Sequence, residues 1–314
     1  MNTPSSSQSQ SRSELDRINR IAWNSPDATR EFTLEKTFSD AGEQAAFDWL
    51  RPRCAGLPLL DIGVGTGRTI PLMTAMSNDY TGVDYTQKLL DMAKARYPEL
   101  DLRHMDARDM SDLPSDHYGL VDFSWNGIDS VDYADRVKIL DEMYRVLRPG
   151  GYVLFSSHNR DGPGYRENIW QLLPHFTCNP LKLGWRTLRS IRAFQLGTLN
   201  YLRHVKLNHD YGGYAVKTAA AHNFGIVIVY TTLCEQRRQL AESGFQSDAV
   251  FGSCRGERIA DDVNTSDAWW LHFIAHKQLA VQAEGDSRAQ DIARGEESDD
   301  AEPENGDARQ LPSR

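Results

Sequence analysis

Leu57-Pro58-Leu59-Leu60-Asp61-Ile62-Gly63-Val64-Gly65-Thr66-Gly67-Arg68 is an apolar run that leads into three alternating glycines. An apolar helical pattern begins directly afterwards, at Thr69. This combination predicts a buried parallel strand that turns sharply into a helix, with backbone N–H groups of the loop facing a ligand. Glycine is required in such a loop because a β-carbon would keep the ligand away from the backbone, and because tight turns often need a positive φ.

The spacing of the glycines indicates what kind of ligand the loop holds. A dinucleotide-binding loop has the spacing G-x-G-x-x-G and wraps a pyrophosphate. Here the spacing is D-x-G-x-G-x-G, with Asp61 two residues before Gly63. A carboxylate at that position would repel a diphosphate and suits a cationic, amine-bearing ligand. The spacing therefore disfavours a nicotinamide-dependent dehydrogenase.

This loop resembles the first motif of the class I S-adenosylmethionine-dependent methyltransferases. The resemblance implies that the loop binds S-adenosyl-L-methionine as cofactor through Asp61, Gly63, Gly65 and Gly67. It also implies that three further residues belong to the cofactor site, namely Val64, Tyr85 and Ser124.

Two further acidic residues follow at the ends of the next two predicted strands. The second strand, residues 79–84, ends in Asp84, which lies 17 residues after Gly67. An acid at that position can accept both hydroxyls of a ribose. The third strand ends in Asp106, 22 residues further on, and the resemblance implies that Asp106 accepts from the adenine amine while Ala107 stacks near the ring. The alternative is that both acids only cap the helices that follow them.

Strands and helices alternate from Leu57 to His158, which predicts an α/β fold with a parallel sheet, helices on both faces and ligands at the carboxyl ends of the strands. The segment 146–155, V-L-R-P-G-G-Y-V-L-F, is also shared with the methyltransferase family. The resemblance implies a Rossmann-like, seven-stranded and mostly parallel sheet. Its last two strands, predicted at 247–251 and 269–276, would form an antiparallel edge hairpin.

The 314-residue chain is predicted to hold one methyltransferase domain at residues 14–280. Residues 1–13 are rich in Ser and Gln with almost no apolar residues, and the acidic tail 281–314 mixes acids with Gly, Pro, Ser and Ala, so both are predicted to be disordered. Much of the net charge of −9 lies in this tail. Three aromatic residues ahead of the first strand are candidate covers for the cofactor, although packing on the core is the commoner role of such residues: Trp23, Phe32 and Phe38.

Residues 160–230 form a lid insertion between strand five and the next helix, where substrate specificity would be built. It is predicted to contain one long helix or two over 181–205, and two strand-like pieces, 213–217 and 226–230, that pair as a hairpin. Nine Lys or Arg and three Asp or Glu lie within 160–217. Three explanations stay open for this basic charge: a solvated face, an acidic substrate, and contact with an anionic membrane or a lipid-linked substrate.

Candidates for the chemistry stand where strands four and five end. Asn126 and Asp129 are expected near the methyl group, and His158 is the candidate general base because histidine titrates near neutrality. The alternative for His158 is a hydrogen bond that only fixes its loop. His272 and His276 alternate on the last strand, but without a third ligand a structural role is favoured and no metal is expected.

Other features restrict the class of protein. The cysteines at 54, 178, 234 and 254 are scattered, which argues against a zinc site or a disulfide framework and favours a reducing cytoplasm. A secretory leader and an apolar run of membrane-spanning length are not expected. The acidic overall balance and the lack of a recognition motif disfavour nucleic acid as a partner.

The sequence therefore predicts a soluble methyltransferase that acts on the oxygen or nitrogen of a small-molecule, glycan- or lipid-linked acceptor. Two alternatives stay open: a catalytically silent binding protein of the same fold, and a C-methyltransferase of the quinone-biosynthesis type. The intact acids and glycines argue against the silent protein, because a chain that had lost ligand binding would not need them. Neither the identity of the acceptor nor the oligomeric state follows from the sequence.

Overall fold

The computed structural model describes residues 6–25, 39–173 and 180–279 of the chain. Phe32, Phe38 and the predicted acidic tail lie outside the described residues. The main helices are α1 (Ser6–Trp23), α2 (Ala41–Cys54), α3 (Ile70–Thr74), α4 (Gln87–Arg96), α5 (Tyr133–Val146), α6 (Pro180–His204) and α7 (Leu233–Glu242). The strands are β1 (Leu59–Ile62), β2 (Tyr80–Asp84), β3 (Asp101–His104), β4 (Tyr118–Phe123), β5 (Leu147–His158), β6 (His209–Asp210), β7 (Tyr214–Ala219), β8 (Ile226–Thr231), β9 (Phe245–Gly252), β10 (Arg258–Ile259) and β11 (Trp270–Lys277).

The main sheet has eight strands in the order β10-β9-β11-β5-β4-β1-β2-β3. Strands β1 to β5 pair in parallel, whereas β11 runs antiparallel to both β5 and β9. The predicted α/β class, the mostly parallel sheet and the antiparallel edge are confirmed. The predicted count of seven strands is wrong, because β10 adds an eighth strand beside β9. Its two residues are too few for an alternating pattern to reveal a strand.

Helices cover the main sheet on both faces. Leu59 and Leu60 are neighbours in β1 and point to opposite faces, as successive residues of a strand must. Leu59 packs with buried residues of α2, α3 and α4, including Phe47 and Met73. Leu60 packs with buried residues of α5 and α7. The apolar faces are thereby removed from water, and the polar ends of the strands are left at one edge of the sheet for ligands.

The insertion between β5 and α7 builds a second, antiparallel sheet in the order β6-β7-β8 together with α6. Pairing of β7 with β8 over residues 214–219 and 226–231 confirms the predicted hairpin. The predicted long helix is one helix, α6, and its apolar residues Ile191, Leu199 and Leu202 are exposed. Among the described helices, α6 included, none is both long and apolar enough to cross a membrane.

Helix α1 joins the second sheet to the main one. Its Asn19 is buried, and the side-chain amide donates at 2.7 Å to the carbonyl oxygens of both Ser130 and Val227. The amide oxygen accepts from the Val227 N–H at 3.0 Å. Residues 6–13 were expected to be disordered but belong to α1, because a helix anchored by the buried Leu15 and Ile18 extends through backbone hydrogen bonds into the polar residues before it.

Candidate active site

A cavity of about 310 Å³ lies at the carboxyl edge of the main sheet. Its lining includes the last residues of four parallel strands: Ile62, Asp84, Phe123 and His158. Open parallel sheets bind ligands at this edge. The predicted site residues on its surface are Gly63, Gly65, Asp84, Tyr85, Ala107, Ser124, Asn126 and His158. Five predicted residues do not line it: Asp61, Val64, Gly67, Asp106 and Asp129.

The glycine loop turns the chain from β1 along the wall of the cavity. Gly63 and Gly65 have φ angles of +68° and +56°, in the left-handed region that favours glycine. A β-carbon on Gly63 would lie 2.8 Å from a ring carbon of Phe123, so the turn also needs glycine for space. The loop is fixed from behind, since the Gly65 N–H donates to Asp84 Oδ2 at 2.8 Å.

Two other residues of the loop point away from the cavity. A β-carbon on Gly67 would lie 2.7 Å from the ring of Tyr97, which shows that this glycine packs against α4. Val64 is buried in the core with residues of α2 and α3. Gly67 and Val64 therefore pack the loop against its surroundings and do not line the cavity, and their part in a cofactor site stays a prediction.

Asp84 and Tyr85 lie side by side on the cavity wall at the end of β2. The Asp84 carboxylate accepts from the Gly65 N–H and, at 2.6 Å, from the Thr86 N–H. Burial raises the pKa of Asp84 above its ordinary value, although these N–H donors oppose the shift. The guanidinium of Arg20 lies 4.7 Å from the centre of the Tyr85 ring, so α1 closes over this part of the site.

Asp106 is held outside the cavity by two arginines. Its carboxylate accepts from Arg20 at 2.7 Å and from Arg108 at 2.9 and 2.7 Å. Partial burial would raise the pKa of Asp106, but the two guanidinium groups lower it to about 2. Its neighbours Met105 and Ala107 do line the cavity. The contact of Ala107 with an adenine ring stays a prediction, and the Asp106 carboxylate holds α1 through Arg20.

Asp61 lies beneath the glycine loop rather than on the cavity wall. Its Oδ2 accepts from the Thr69 hydroxyl at 2.6 Å and from the Tyr80 hydroxyl at 2.8 Å. Its Oδ1 is buried and has no hydrogen-bond partner among the described residues. Burial raises the pKa of Asp61 to about 6, and it also raises the pKa of the neighbouring Asp122. A buried acid of this kind makes the chain sensitive to pH.

Replacing Asp61 with asparagine is expected to change the free energy of unfolding relative to wild type. The change should favour the variant more at neutral pH than at low pH. The carboxyl holds its proton more tightly in the folded chain, so the wild-type free energy of unfolding falls as the pH rises from about 4 to about 6. The variant lacks this titration, so its unfolding free energy relative to wild type should grow by about 1–3 kcal/mol across the window. Urea unfolding of the ligand-free protein at several pH values measures this difference. Asp48→Asn, at an exposed position, is the control, and a difference that does not change with pH would contradict the raised pKa.

Ser124 and Asn126 follow β4 and form the floor next to the glycine loop. The Ser124 hydroxyl donates to Glu43 at 2.7 Å, and Glu43 is paired with Arg68 at 2.6 and 2.7 Å. Asn126 adopts a left-handed φ of +57°, which its N–H helps to fix by donating to Ser156 Oγ at 2.7 Å. Its side-chain Oδ1 is buried without a hydrogen-bond partner in the described part of the chain. Such an unsatisfied oxygen beside a cavity is suited to a ligand N–H or O–H.

His158 and Asp129 form a hydrogen-bonded pair at the end of β5. The His158 Nδ1–H donates to Asp129 Oδ2 at 2.7 Å, and the His158 backbone N–H donates to the same oxygen at 2.6 Å. Asp129 is 0% exposed, whereas the His158 side chain is 26% exposed and lines the cavity. The carboxylate fixes the ring and leaves Nε2 as the nitrogen that can take a proton from a ligand. Asp129 was expected beside the methyl group and lies instead behind the histidine.

Arg136 is a buried residue of this cluster that the sequence analysis does not single out. Its guanidinium donates to Asp129 Oδ1, to Gln236 Oε1 and, at 3.2 Å, to Ser157 Oγ. The Ser157 hydroxyl donates to Asp129 Oδ1 at 2.8 Å. The Arg136 guanidinium and the Ser157 hydroxyl thus donate to Asp129 Oδ1, whereas His158 donates to Asp129 Oδ2.

A signal for Arg136 is nevertheless present in the sequence. Its position falls on the buried stripe of α5, which otherwise consists of Ile139, Leu140, Met143 and Val146. A charged residue on the apolar stripe of an amphipathic helix needs a buried partner of opposite charge. The partner, Asp129, lies in the loop before the helix.

A second wall of the cavity comes from α1 and the second sheet: Trp23, Ala219, Ala221, His222, Ile226 and Ile228. The Trp23 ring packs edge-on against His222 with centroids 5.2 Å apart, so this candidate cover is part of the cavity. Tyr230 and Trp270 flank His158, with ring centroids 5.4 and 6.3 Å from the imidazole. No Lys or Arg lines the cavity in the part of the chain that the structure describes. The described Lys and Arg side chains of the insertion therefore do not line the cavity.

A protein-family model described as a methyltransferase domain matches residues 60–155. A probable S-adenosylmethionine-dependent methyltransferase of Mycolicibacterium smegmatis is 30% identical over 122 residues, which cover 37% of this chain and 44% of that protein. A ubiquinone biosynthesis O-methyltransferase of Pseudomonas savastanoi is 27% identical over 195 residues, which cover 54% of this chain and 82% of that protein. The chain thus spans less than half the length of the first relative and most of the second.

The fold is similar to that of solved methyltransferase structures. The 1,6-didemethyltoxoflavin-N1-methyltransferase of Burkholderia thailandensis superimposes with a TM-score of 0.53 at 12% identity. The superposition covers 88% of this chain and 93% of that chain. At this level of identity the likeness concerns the fold.

Proposed function

We propose that this chain, which belongs to the class I S-adenosylmethionine-dependent methyltransferase family, transfers a methyl group to an oxygen or nitrogen atom of a small-molecule or lipid-linked acceptor. S-Adenosylmethionine is the cofactor. One observation carries the proposal: His158, held by Asp129, borders the same cavity as the glycine loop and Asp84. A candidate base and a candidate cofactor site thus share one space.

The residues around the cavity fit this cofactor. The β-carbon position of Gly65 is open, with Gly63 O at 3.9 Å as the nearest atom, so a ligand can approach the backbone there. Each Asp84 oxygen accepts one backbone N–H and retains a lone pair for a ribose hydroxyl. The unsatisfied Oδ1 of Asn126 offers a further acceptor. We therefore assign the cofactor to the glycine loop, Asp84 and the floor at Asn126.

Methyl transfer requires the chain to orient the acceptor and to remove a proton from it. When bound, S-adenosylmethionine supplies an activated methyl group. His158 can take the proton of an acceptor hydroxyl or amine at Nε2, and Asp129 stabilises the imidazolium that forms. The aromatic rings beside His158 keep water from the reacting atoms.

The lining of the cavity favours a flat, uncharged acceptor. Trp125, Trp270 and Phe123 line it with aromatic rings, and the described lining contains no Lys or Arg to hold a carboxylate or phosphate. A phenol-like ring that carries a hydroxyl suits these walls better than an acidic compound or a glycan. The relative named for O-methylation in ubiquinone biosynthesis supports an oxygen acceptor.

Calorimetry with S-adenosylmethionine and with NAD tests the cofactor assignment. The unchanged protein should bind S-adenosylmethionine and not NAD. Asp84→Ala should weaken S-adenosylmethionine binding about tenfold or more, because hydrogen bonds to a charged acceptor are lost. Asp91→Ala, an exposed acid on α4, is the matched control and should bind like wild type. NAD binding without S-adenosylmethionine binding would overturn the proposal, and unchanged affinity in Asp84→Ala would remove Asp84 from the site.

Transfer of a labelled methyl group to a panel of phenols, amines and quinone precursors tests the reaction itself. Label on a phenol oxygen or an amine nitrogen is the expected product, with the position assigned by mass spectrometry and NMR. Label found exclusively on ring carbon would contradict the proposal and support the C-methyltransferase alternative. Tight cofactor binding without transfer to any compound would favour the silent binding protein.

A further inference from the structure

We propose that the outer face of α6 docks on the surface of an anionic lipid membrane. The outer face is defined by its exposed side chains: Ile191, Leu196, Leu199 and Leu202, with Arg192 and Arg203 beside them. This inference concerns an interaction surface outside the cavity, so it goes beyond the proposed methyl transfer and can be tested without it.

The apolar residues of the outer face form a row along the helix. Ile191, Leu199 and Leu202 expose 50, 52 and 66% of their surface, and Leu196 exposes 41%. Their successive spacings of five, three and three residues keep them on one side of a helix. A single exposed leucine is ordinary, but a contiguous apolar patch marks an interaction site. Eleven large apolar side chains are exposed among the described residues, and six of them lie on α6 or on the turn at residues 169–173 that packs against it.

The opposite face of α6 is packed, which fixes the direction of the outer face. The Asn200 amide donates to Asn223 O at 3.0 Å, and the Tyr201 ring meets Phe224 at 5.8 Å. Gly197 is buried where a β-carbon would collide with Leu172. The helix therefore cannot turn its leucines inward without breaking these contacts.

The positive charge of α6 indicates an anionic partner. The helix contains five Lys or Arg and no Asp or Glu, in a chain whose net charge is −9. Apolar side chains flanked by Arg are the pattern of helices that lie in the interface of an anionic membrane. Trp170 packs on Phe194 of the same helix and is 65% exposed, which suits a ring at the level of the head groups.

The docking surface is connected to the cavity through one turn. α6 packs on Asn223 and Phe224, and the preceding His222 lines the cavity. A membrane on the outer face would thus be separated by the width of α6, about 10 Å, from the turn that contributes His222 to the cavity wall. If the proposed function holds, this arrangement brings a lipid-linked acceptor from the bilayer to that wall.

Vesicle sedimentation with the full chain tests the proposal. Vesicles of phosphatidylcholine with phosphatidylglycerol should bind the protein, and vesicles of phosphatidylcholine alone should bind it more weakly. The double variant Leu199→Gln, Leu202→Gln should bind at least about tenfold more weakly, because two leucines no longer enter the interface. Arg192→Gln with Arg203→Gln should lose about tenfold on the anionic vesicles only. Val263→Gln, which changes an exposed apolar residue elsewhere, is the matched control.

Three outcomes would overturn the docking proposal. The first is that the unchanged protein does not bind anionic vesicles, and the second is that the leucine variant binds them as well as the control does. The third is that the unchanged protein is a dimer in analytical ultracentrifugation whereas the leucine variant is a monomer. The last outcome would assign the outer face to a second copy of the chain. Circular dichroism and S-adenosylmethionine binding should be unchanged in every variant. A failure in the vesicle assay leaves the proposed methyl transfer intact, because that proposal is tested on cofactor and acceptor in solution.

Discussion

Replacing Arg136 with methionine is expected to lower the free energy of unfolding by about 3–5 kcal/mol. Arg136 and Asp129 are both 0% exposed and form an ion pair. The methionine side chain fills similar space but leaves the Asp129 carboxylate buried without its cation. The cost comes from this uncompensated charge, since a buried ion pair replaced as a whole is often neutral.

Urea unfolding of three variants separates this cause from lost packing. Arg103→Met breaks an exposed ion pair with Asp101 and should cost less than about 1 kcal/mol. The double variant Arg136→Met, Asp129→Asn removes both buried charges and should recover part of the stability that Arg136→Met loses. A double variant less stable than Arg136→Met would show that Arg136 acts through packing and not through the charge of Asp129.

The sequence predicts the first half of the main sheet because the relevant signals are local. The buried run at Leu59, the alternating glycines and the acid at Asp84 each lie within a few residues of the feature that they specify. β2 ends at Asp84, as predicted. The short range of these patterns also explains the missing eighth strand, since the two residues of β10 make up only one period of alternation.

Contacts between distant parts of the chain are what the sequence does not predict. Asp106 is expected at the end of the third strand, but β3 ends two residues earlier, at His104. The Asp106 carboxylate pairs with Arg20, which is 86 residues away. Asn19 binds Val227 across 208 residues. No periodicity links such pairs. For the same reason the sequence of α6 does not tell which of its apolar residues pack on the protein, and four of them are exposed: Ile191, Leu196, Leu199 and Leu202.

Replacing His158 with alanine is expected to lower turnover on a hydroxyl acceptor by about 10²–10⁴-fold, the usual contribution of a general base. The affinity for S-adenosylmethionine should remain unchanged, because His158 is distinct from the residues assigned to the cofactor. The acceptor must then lose its proton without help, so the remaining rate should rise with pH towards the pKa of the acceptor hydroxyl, about 10 for a phenol. Full turnover by the variant would leave His158 with the structural role that the sequence also allows.

Asp129→Asn tests whether the histidine acts as a base through its partner. The amide keeps the size of the carboxylate but no longer stabilises an imidazolium at His158, so turnover should fall by a factor similar to that of His158→Ala. The variant also loses the buried ion pair with Arg136 and is expected to be less stable, so turnover is compared for the folded fraction. Unchanged turnover and an unchanged pH profile of that fraction would leave Asp129 with a purely structural role. The double variant His158→Ala, Asp129→Asn should be no slower than His158→Ala, because the two residues act on the same proton. Independent, multiplying losses would argue that Asp129 contributes to the reaction by another route.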